Sequence, residues 1–337
     1  SYLSNKVNVF DFPNNVKGKP RVIPIPADGK ILAADSAKGS ITTYTQQLNG
    51  DLYPYNRIDY ISGFKMFDGS ILEKSIVNIK ENDGGDSNNN YVKTVGIVSL
   101  SSGIIGEDSV QHEVKIGIER LKKFGLNVKF MEHSRKGLSY ISEHPEKRAE
   151  DLINAFKDDS IDMILCAIGG DDTYKLLPYL FDNDELKKVV KQKIFLGFSD
   201  TTMNHLMLHK LGIKTFYGQS FFADLCELDE CMLPYTEKYF VELIRTGKIK
   251  KIEPSDVWYE ERKDYSVDAI GTKRVMHNDN GFVLLQGKSV FSGKILGGCI
   301  ESIYDIFDSS YHNDSVEMCQ KYQLFPKLDD WKDKILL

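Results

Sequence analysis

The sequence predicts an α/β protein built on a doubly wound, mostly parallel sheet. The first reason is that two apolar runs, residues 163–168 and 194–198, each stop abruptly at small and polar residues and lead into a helical pattern. Such runs are typical of parallel strands that end in a loop before a helix. The second reason is that strand and helix patterns alternate from Tyr91 to about Gln219. This alternation favours a parallel sheet with right-handed crossovers.

The elements of this part follow one another in a regular order. Apolar runs predict strands at 94–100, 127–131, 163–168, 194–198 and 214–217. Apolar residues at helical spacing predict helices at 107–124, 145–156, 174–180, 184–190 and 201–211. In open α/β sheets the carboxyl ends of the strands open onto the ligand crevice. A functional site is therefore expected in the loops that follow these strands.

The segments on either side have different patterns and predict further modules. Residues 1–80 predict a small β-rich module of unknown role, with β-type runs at 7–10, 21–25, 40–44, 58–64 and 76–79. A polar run at 81–90 predicts a linker, which places the α/β domain at 91–220. Residues 221–337 are expected to begin a second, β-rich domain that is incomplete. Its predicted elements are a helix at 234–246, strands at 281–286 and 288–295, a short helix ending at Phe307 and the start of a buried strand at 333–337.

Composition excludes several classes of protein. With 337 residues, 41% of them hydrophobic and 27% charged, the chain is long and apolar enough to fold as about two globular domains. The formal net charge of −6, without a basic run, argues against a nucleic-acid partner. No run reaches transmembrane length and the N-terminus has no signal-peptide pattern, so a cytoplasmic protein without a membrane partner is expected. The five cysteines show no CxxC spacing, which favours reduced thiols and no zinc site.

Ser199 is the first candidate for chemistry. It lies in the strand-to-helix turn Gly197-Phe198-Ser199-Asp200-Thr201. A serine at such a turn presents its hydroxyl, and the next backbone N–H points toward any oxyanion that forms. The turn departs from the G-x-S-x-G elbow because Asp200 and Thr201 replace its small residues. A structural role also fits the spacing, since Ser and Asp are preferred helix N-caps.

The loop Gly169-Gly170-Asp171-Asp172-Thr173 is open to three interpretations. Two glycines after a buried strand let backbone N–H groups approach a ligand closely, so the loop can complete an oxyanion hole for Ser199. It also resembles the GGDGT loops of some phosphotransferases, although Asp172 replaces their third glycine and would repel a phosphate. The remaining interpretation is a plain turn in which Asp172 or Thr173 caps the next helix.

Two other sets of residues leave alternatives open. His205 and His209 are four residues apart on one predicted helix, a spacing that suits a metal, but no carboxylate motif completes a ligand set. A packed or exposed pair is the simpler interpretation. Trp258, followed by Tyr259, can form an aromatic lid that stacks on a substrate ring or can merely anchor its loop.

Five ordered motifs resemble serine peptidase family S66, which contains the LD-carboxypeptidases and the microcin C self-immunity proteins. They are Val95–Ser102, Ala167–Thr173 with Leu176–Tyr179, Gly197–Thr202, Thr215–Gly218 and Gly293–Cys299. The resemblance implies a cofactor-free, metal-free hydrolase that cleaves an amide bond in a small peptide-like or peptidyl-nucleotide substrate. It favours Ser199 as nucleophile, with the oxyanion held by the N–H of Asp200 and a glycine of the pair Gly169 and Gly170. Asp171, Asp172, Thr173 and Trp258 are then expected to bind substrate.

The resemblance also raises a question about activity. The family's triad contains a glutamate after an apolar strand and a later histidine, and the matching strand here is Lys334–Leu337. Both residues would come after Leu337, so the chain is expected to be either a fragment or a member that binds without catalysis. A homodimer is expected from the family alone.

Overall fold

The computed structural model describes residues 90–279, 281, 283–308 and 312–336, together with five strands between residues 10 and 59. The predicted run at 76–79 and nearly all of the predicted linker at 81–90 lie outside the described residues. The division into domains predicted from the sequence remains a prediction.

The centre of the described α/β part is a five-stranded parallel sheet, as predicted. Its strands are β6 (Thr94–Val98), β7 (Asn127–Phe130), β8 (Met163–Cys166), β9 (Ile194–Gly197) and β10 (Phe216–Tyr217). They are arranged in the order β10-β9-β8-β6-β7, and every neighbouring pair is parallel. After β6 the chain forms β7 on one side of that strand, and β8 then pairs with β6 on its other side. The carboxyl ends of β6 and β8 therefore flank the switch point where open α/β sheets bind ligands.

Helices follow most of these strands and complete the α/β pattern. In the described residues they are α1 (Gln111–Lys123), α2 (Leu138–Glu143), α3 (Pro145–Lys157), α4 (Leu177–Phe181), α5 (Glu185–Val189), α6 (Thr202–Lys210), α7 (Pro234–Thr246), α8 (Ile300–Phe307) and α9 (Ser315–Lys321). The predicted helices begin or end within a few residues of these bounds. Among the described residues, none of the helices combines the length and the apolar character needed to span a bilayer.

Two separate cores confirm that the sheet is covered on both faces. Alternate strand residues point to opposite faces, so Ile164 and Cys166 join one core while Met163 and Leu165 join the other. The first core packs against α3, α4 and α6, and the second against α1 and α7. A doubly wound arrangement requires two such apolar faces.

Residues between 10 and 59 form an antiparallel sheet, which agrees with the predicted β-rich module. Its strands are β1 (Phe10–Asp11), β2 (Arg21–Pro24), β3 (Lys30–Asp35), β4 (Ser40–Gln46) and β5 (Leu52–Asp59), paired in that order. The pairing of β4 with β5 contains a register shift between Thr43 and Tyr44. The sequence did not predict β3, whose two alanines have low strand propensity. The predicted run at 58–64 overlaps the end of β5 at residues 58 and 59, and its other residues lie outside the described part of the chain.

The C-terminal part corrects several predictions. Two short pairs are present: β11 (Val257–Tyr259) with β12 (Met276–Asn278), antiparallel, and β13 (Lys294–Leu296) with β14 (Lys334–Leu336), parallel. Among the described residues, the strands predicted at 281–286 and 288–295 are wrong except for residues 294 and 295. Apolar side chains there, such as Leu285, are exposed and have no partner strand among the described residues. The strand predicted at 333–337 is confirmed at 334–336, while residue 337 lies outside the described residues; it is not buried, since Leu336 is exposed.

Candidate active site

Ser199 lies in a backbone conformation that most side chains avoid. It follows β9 directly and begins a single 3₁₀ turn, Ser199–Thr201, that leads into α6. Its φ angle is +61°, in the left-handed region. A non-glycine residue held there costs on the order of 1–3 kcal/mol and is found mostly at turns and functional sites. The turn thus lifts the Ser199 side chain out of the regular path of strand and helix.

Gly169 packs against the side chain of Ser199. A Cβ atom on Gly169 would lie 2.7 Å from the Ser199 Cβ, 2.8 Å from its Oγ and 3.2 Å from the backbone nitrogen of Asp200. No real Cβ tolerates the first two distances, so only glycine fits here. The structure therefore brings together the predicted loop after β8 and the predicted serine turn after β9.

Gly170 allows the loop after β6 to join the same site. A Cβ on Gly170 would lie 2.1 Å from the Oγ of Ser101. The neighbouring N–H of Ser102 donates a hydrogen bond to the carbonyl oxygen of Gly169 at 3.1 Å. Three strand ends, those of β6, β8 and β9, thus converge at the switch point of the sheet.

The carboxylate of Asp200 ties the three loops together. Its Oδ2 accepts hydrogen bonds from the Ser101 hydroxyl at 2.6 Å, the Thr173 N–H at 2.9 Å and the Thr173 hydroxyl at 2.6 Å. Burial raises the pKa of Asp200, and these donors oppose that rise because they favour the charged form. From the sequence, the N–H of Asp200 was expected to hold an oxyanion, with helix capping by its side chain as the alternative. The side chain has its own structural task.

Asp172 and Thr173 lie inside the protein next to this junction. Asp172 is buried and pairs with Arg148 through two hydrogen bonds, of 2.6 and 3.2 Å, and with Lys175 at 3.2 Å. Thr173 is fully buried, and both its donors are directed to Asp200. The Thr173 N–H is therefore occupied, which weakens the phosphate-loop interpretation. The substrate-binding roles of both residues remain predictions.

Asp171 and Trp258 have different surroundings. Asp171 is exposed, and its carboxylate lies 3.9 Å from Nε2 of His312. Trp258 belongs to β11 and is 42% exposed, with its ring stacked on the His277 ring at a centroid distance of 4.4 Å. His277 in turn lies 2.8 Å from the carboxylate of Glu260. Trp258 thus belongs to a small ordered stack on the β11–β12 pair, and its contact with a substrate remains a prediction.

Of the two histidines on α6, one is buried and the other is exposed. His205 is buried, and both of its ring nitrogens are hydrogen-bonded. Nε2 lies 3.0 Å from the Gly197 carbonyl oxygen, and Nδ1 lies 2.7 Å from the Thr215 hydroxyl. Burial lowers its pKa to about 4. Since a carbonyl only accepts, Nε2 carries the proton of the neutral ring. His209 is exposed on the same helix.

Sequence reasoning missed several residues that hold the site. Arg148 is fully buried and donates to the carbonyl oxygens of Leu100 and Ser101 as well as to Asp172. Tyr217 accepts the Ser199 N–H at 3.0 Å, and Thr202 donates to the Ser199 carbonyl at 2.7 Å. Only some of them had a signal in the sequence. Tyr217 lies in a motif noted for its resemblance, whereas a helical arginine such as Arg148 is indistinguishable from a surface charge.

The geometry defines a class of protein. An alcohol in a strained strand-to-helix turn, beside a glycine loop at the switch point of a doubly wound sheet, is the arrangement that an acyl-transferring serine hydrolase requires. Residues 95–218 match the model of the LD-carboxypeptidase N-terminal domain of peptidase family S66. The chain is also 72% identical to an MccF-like protein from Streptococcus pneumoniae solved in complex with AMP, with a TM-score of 0.72 over 73% of this chain and 71% of that one. The chain belongs to peptidase family S66, in its MccF-like branch.

More distant relatives carry peptidase and immunity names. The putative carboxypeptidase YocD of Bacillus subtilis is 32% identical over 189 residues, which are 55% of this chain and 53% of that protein. The microcin C7 self-immunity protein MccF of Escherichia coli is 24% identical over 198 residues, 58% of this chain and 56% of that protein. The chain spans about half the length of the curated relatives it matches.

Proposed function

We propose that this protein is a serine peptidase of the LD-carboxypeptidase and microcin-immunity type, with Ser199 as nucleophile. The observation that carries the proposal is the left-handed turn at Ser199, whose hydroxyl faces a glycine that no other residue can replace. The substrate is a small peptide-like molecule cleaved at an amide bond. Because the 72%-identical relative was solved with AMP, a peptidyl- or aminoacyl-nucleotide is preferred to a peptidoglycan LD-peptide.

The oxyanion would be held by backbone N–H groups of the two loops. The Asp200 nitrogen lies on the side of Ser199 that faces Gly169. The carbonyl of Gly169 accepts a hydrogen bond from Ser102, and the C=O and N–H of a trans peptide point in opposite directions. The N–H of Gly170 is therefore directed away from Ser102. We assign the two oxyanion donors to Asp200 and Gly170.

The reaction needs one proton acceptor besides these groups. The Ser199 oxygen attacks the substrate carbonyl, the C–N bond breaks and the amine leaves with a proton, after which water hydrolyses the acyl ester. The resemblance assigns the general base to a histidine that is oriented by a glutamate. His205 does not suit this role, because both of its ring nitrogens are hydrogen-bonded within the fold.

The test uses the protein expressed from its complete gene. It is incubated with an aminoacyl sulfamoyl adenosine and, separately, with an L,D-tetrapeptide, and the released amino acid is quantified. Ser199→Ala is expected to lower kcat by roughly 10³-fold or more, because the nucleophile is lost. The control is Ser139→Ala, which removes an exposed hydroxyl on α2 that donates to Glu143 and should retain full activity.

The outcomes separate the candidate functions. Loss of turnover in Ser199→Ala but not in Ser139→Ala supports the peptidase, and the substrate arm that is consumed identifies the class. Binding of AMP by calorimetry without hydrolysis of either substrate would favour the second candidate, a non-catalytic nucleotide binder, for which the AMP complex of the relative is the motivation. Equal turnover in wild type and Ser199→Ala would remove Ser199 from the mechanism.

A further inference from the structure

The backbone N–H of Ser199 has an acceptor from outside its own turn. Because Ser199 begins the turn that leads into α6, its N–H has no acceptor within the helix. The phenolic oxygen of Tyr217 accepts it at 3.0 Å. Tyr217 ends the edge strand β10 and is paired in register with Gly197, two residues before the serine. The sheet itself therefore sets the distance between the phenol and the turn.

The carbonyl of the same residue is bound by Thr202, whose hydroxyl is also within hydrogen-bonding reach of Tyr217. The Thr202 hydroxyl donates to the Ser199 oxygen at 2.7 Å and accepts the N–H of Cys299 at 2.9 Å. A Cβ on Gly298 would lie 2.4 Å from the Thr202 oxygen, so the loop before α8 rests directly on this side chain. Thr202 thus joins the serine turn to a segment almost a hundred residues later in the chain.

Both polar groups of the Ser199 backbone are consequently hydrogen-bonded to side chains of other residues. A left-handed residue is retained only where its surroundings enforce it. Tyr217 and Thr202 are the surroundings that the structure provides. Neither was a candidate from the sequence.

We propose that Tyr217 and Thr202 are positioning residues that hold the Ser199 turn in its left-handed form. The inference rests on the proposed function, since it concerns the same nucleophile. Tyr217 fixes the N–H, and Thr202 fixes the carbonyl while it docks the Gly297–Cys299 loop on the turn. Loss of either bond lets the turn relax toward ordinary helical backbone, which moves the hydroxyl away from Gly169.

The experiment compares Tyr217→Phe with Tyr239→Phe. Tyr239 is a matched control, because its phenol also accepts a backbone N–H, that of Glu253 at 2.6 Å, away from the site. Tyr217→Phe is expected to lower kcat roughly 10- to 100-fold with KM unchanged, since misplacement by about 1 Å can cost 10²-fold. Tyr239→Phe should keep the wild-type kcat.

A second pair of variants tests the threonine by rescue. Thr202→Val keeps the shape of the side chain and loses both hydrogen bonds, whereas Thr202→Ser keeps them. We expect kcat to fall in Thr202→Val and to return to within about threefold of wild type in Thr202→Ser. Equal activity of the two variants would mean that the hydroxyl does not position the turn.

Hydrogen exchange of the Ser199 amide gives a readout that needs no activity. In Tyr217→Phe this amide should exchange roughly 10-fold faster or more, while the amides of β8 keep their protection. If the wild type hydrolyses nothing, the proposed peptidase fails, yet faster exchange at Ser199 still supports the positioning role. If the wild type is active and Tyr217→Phe matches Tyr239→Phe in both kcat and exchange, the positioning role is overturned.

Discussion

His205 shows how a residue acquires its role from its position in the fold. The side chain is almost completely buried beneath the serine turn, with its Nε2 bound to the Gly197 carbonyl and its Nδ1 to Thr215. Its ring also lies edge-on to Phe195. A neutral imidazole satisfies both partners without a buried charge. The residue therefore supports the end of β9, from which Ser199 projects.

The buried imidazole predicts a specific pH dependence of stability. Its pKa is lowered to about 4 in the folded protein, against about 6.5 when unfolded. As the pH falls from 6.5 to 4, only the unfolded state takes up this proton, so the free energy of unfolding decreases by as much as about 3 kcal/mol. His205→Gln retains a donor for Gly197 but has no group that titrates in this range. Its free energy of unfolding should therefore fall less than that of the wild type between pH 6.5 and 4, which urea unfolding at a series of pH values measures.

His209→Gln is the control for this measurement. It removes an exposed histidine from the same helix and should leave the pH dependence as in wild type. Parallel curves for wild type and His205→Gln would show that the buried ring does not stay neutral.

At the scale of elements, a helix holds the glycine loop in place. Arg148 projects from α3 to the end of β6 and to Asp172 in the loop after β8. Its guanidinium and the Asp172 carboxylate are both buried, so each charge depends on the other. The loop that faces Ser199 is thereby fixed from its far side.

This buried pair predicts strongly coupled mutations. Arg148→Met leaves the buried carboxylate without its main partner and should lower the free energy of unfolding by about 3–5 kcal/mol. The double variant Arg148→Met with Asp172→Leu should recover part of that loss, because no buried charge remains. Urea unfolding of the single and double variants measures the coupling.

The neighbouring Lys147→Met serves as the control. Lys147 forms an exposed pair with Glu150, and such pairs contribute roughly 0–1 kcal/mol. If the losses in the free energy of unfolding caused by Arg148→Met and Asp172→Leu simply added in the double variant, the two buried charges would not depend on each other. An Asp172→Asn variant that changes KM but not stability would instead support the substrate-binding role predicted from the sequence.

At the scale of the whole described molecule, Glu227 fastens the β11–β12 pair to the α/β part. Its buried carboxylate contacts Arg262 and Arg274, which lie in the segment between the two strands. Arg120 of α1 donates to the carbonyl oxygen of the same glutamate at 2.6 Å. The two contacted guanidinium groups keep the pKa of Glu227 below its usual value, although burial alone would raise it. Trp258 lies on β11, one of the two strands that Glu227 attaches to the α/β part.

Loss of that carboxylate should loosen the segment without unfolding the sheet. Glu227→Gln removes the carboxylate that contacts both arginines, and we expect trypsin to cleave near Lys263 and Lys273 roughly 10-fold faster or more. Cleavage is followed by mass spectrometry of the native protein. Glu260→Gln, which removes only a half-exposed contact with His277, should be cleaved at the wild-type rate. Unchanged cleavage in Glu227→Gln would show that the segment is held by other contacts.

The sequence was informative where structure depends on neighbours along the chain. The alternation of apolar runs with helical periods predicted the parallel sheet and most of its helices, because side-chain period reports which face is buried. It placed Ser199 and the Gly169–Gly170 pair at strand ends, and the structure brings these into contact. It was less informative at 281–295, where apolar residues suggested strands although the structure leaves most of them exposed.

The sequence by itself predicted the sheet, the position of Ser199 in a strand-to-helix turn and the resemblance to family S66, since each depends on short contiguous motifs. Only the tertiary structure decided which distant side chains meet at the turn. Arg148 reaches Asp172, Asp200 gathers Ser101 and Thr173, and Tyr217 accepts the Ser199 N–H. These contacts join residues up to about a hundred positions apart. Periodicity along the chain carries no information about such pairs, because the order of strands in the sheet, and not distance in sequence, brings them together.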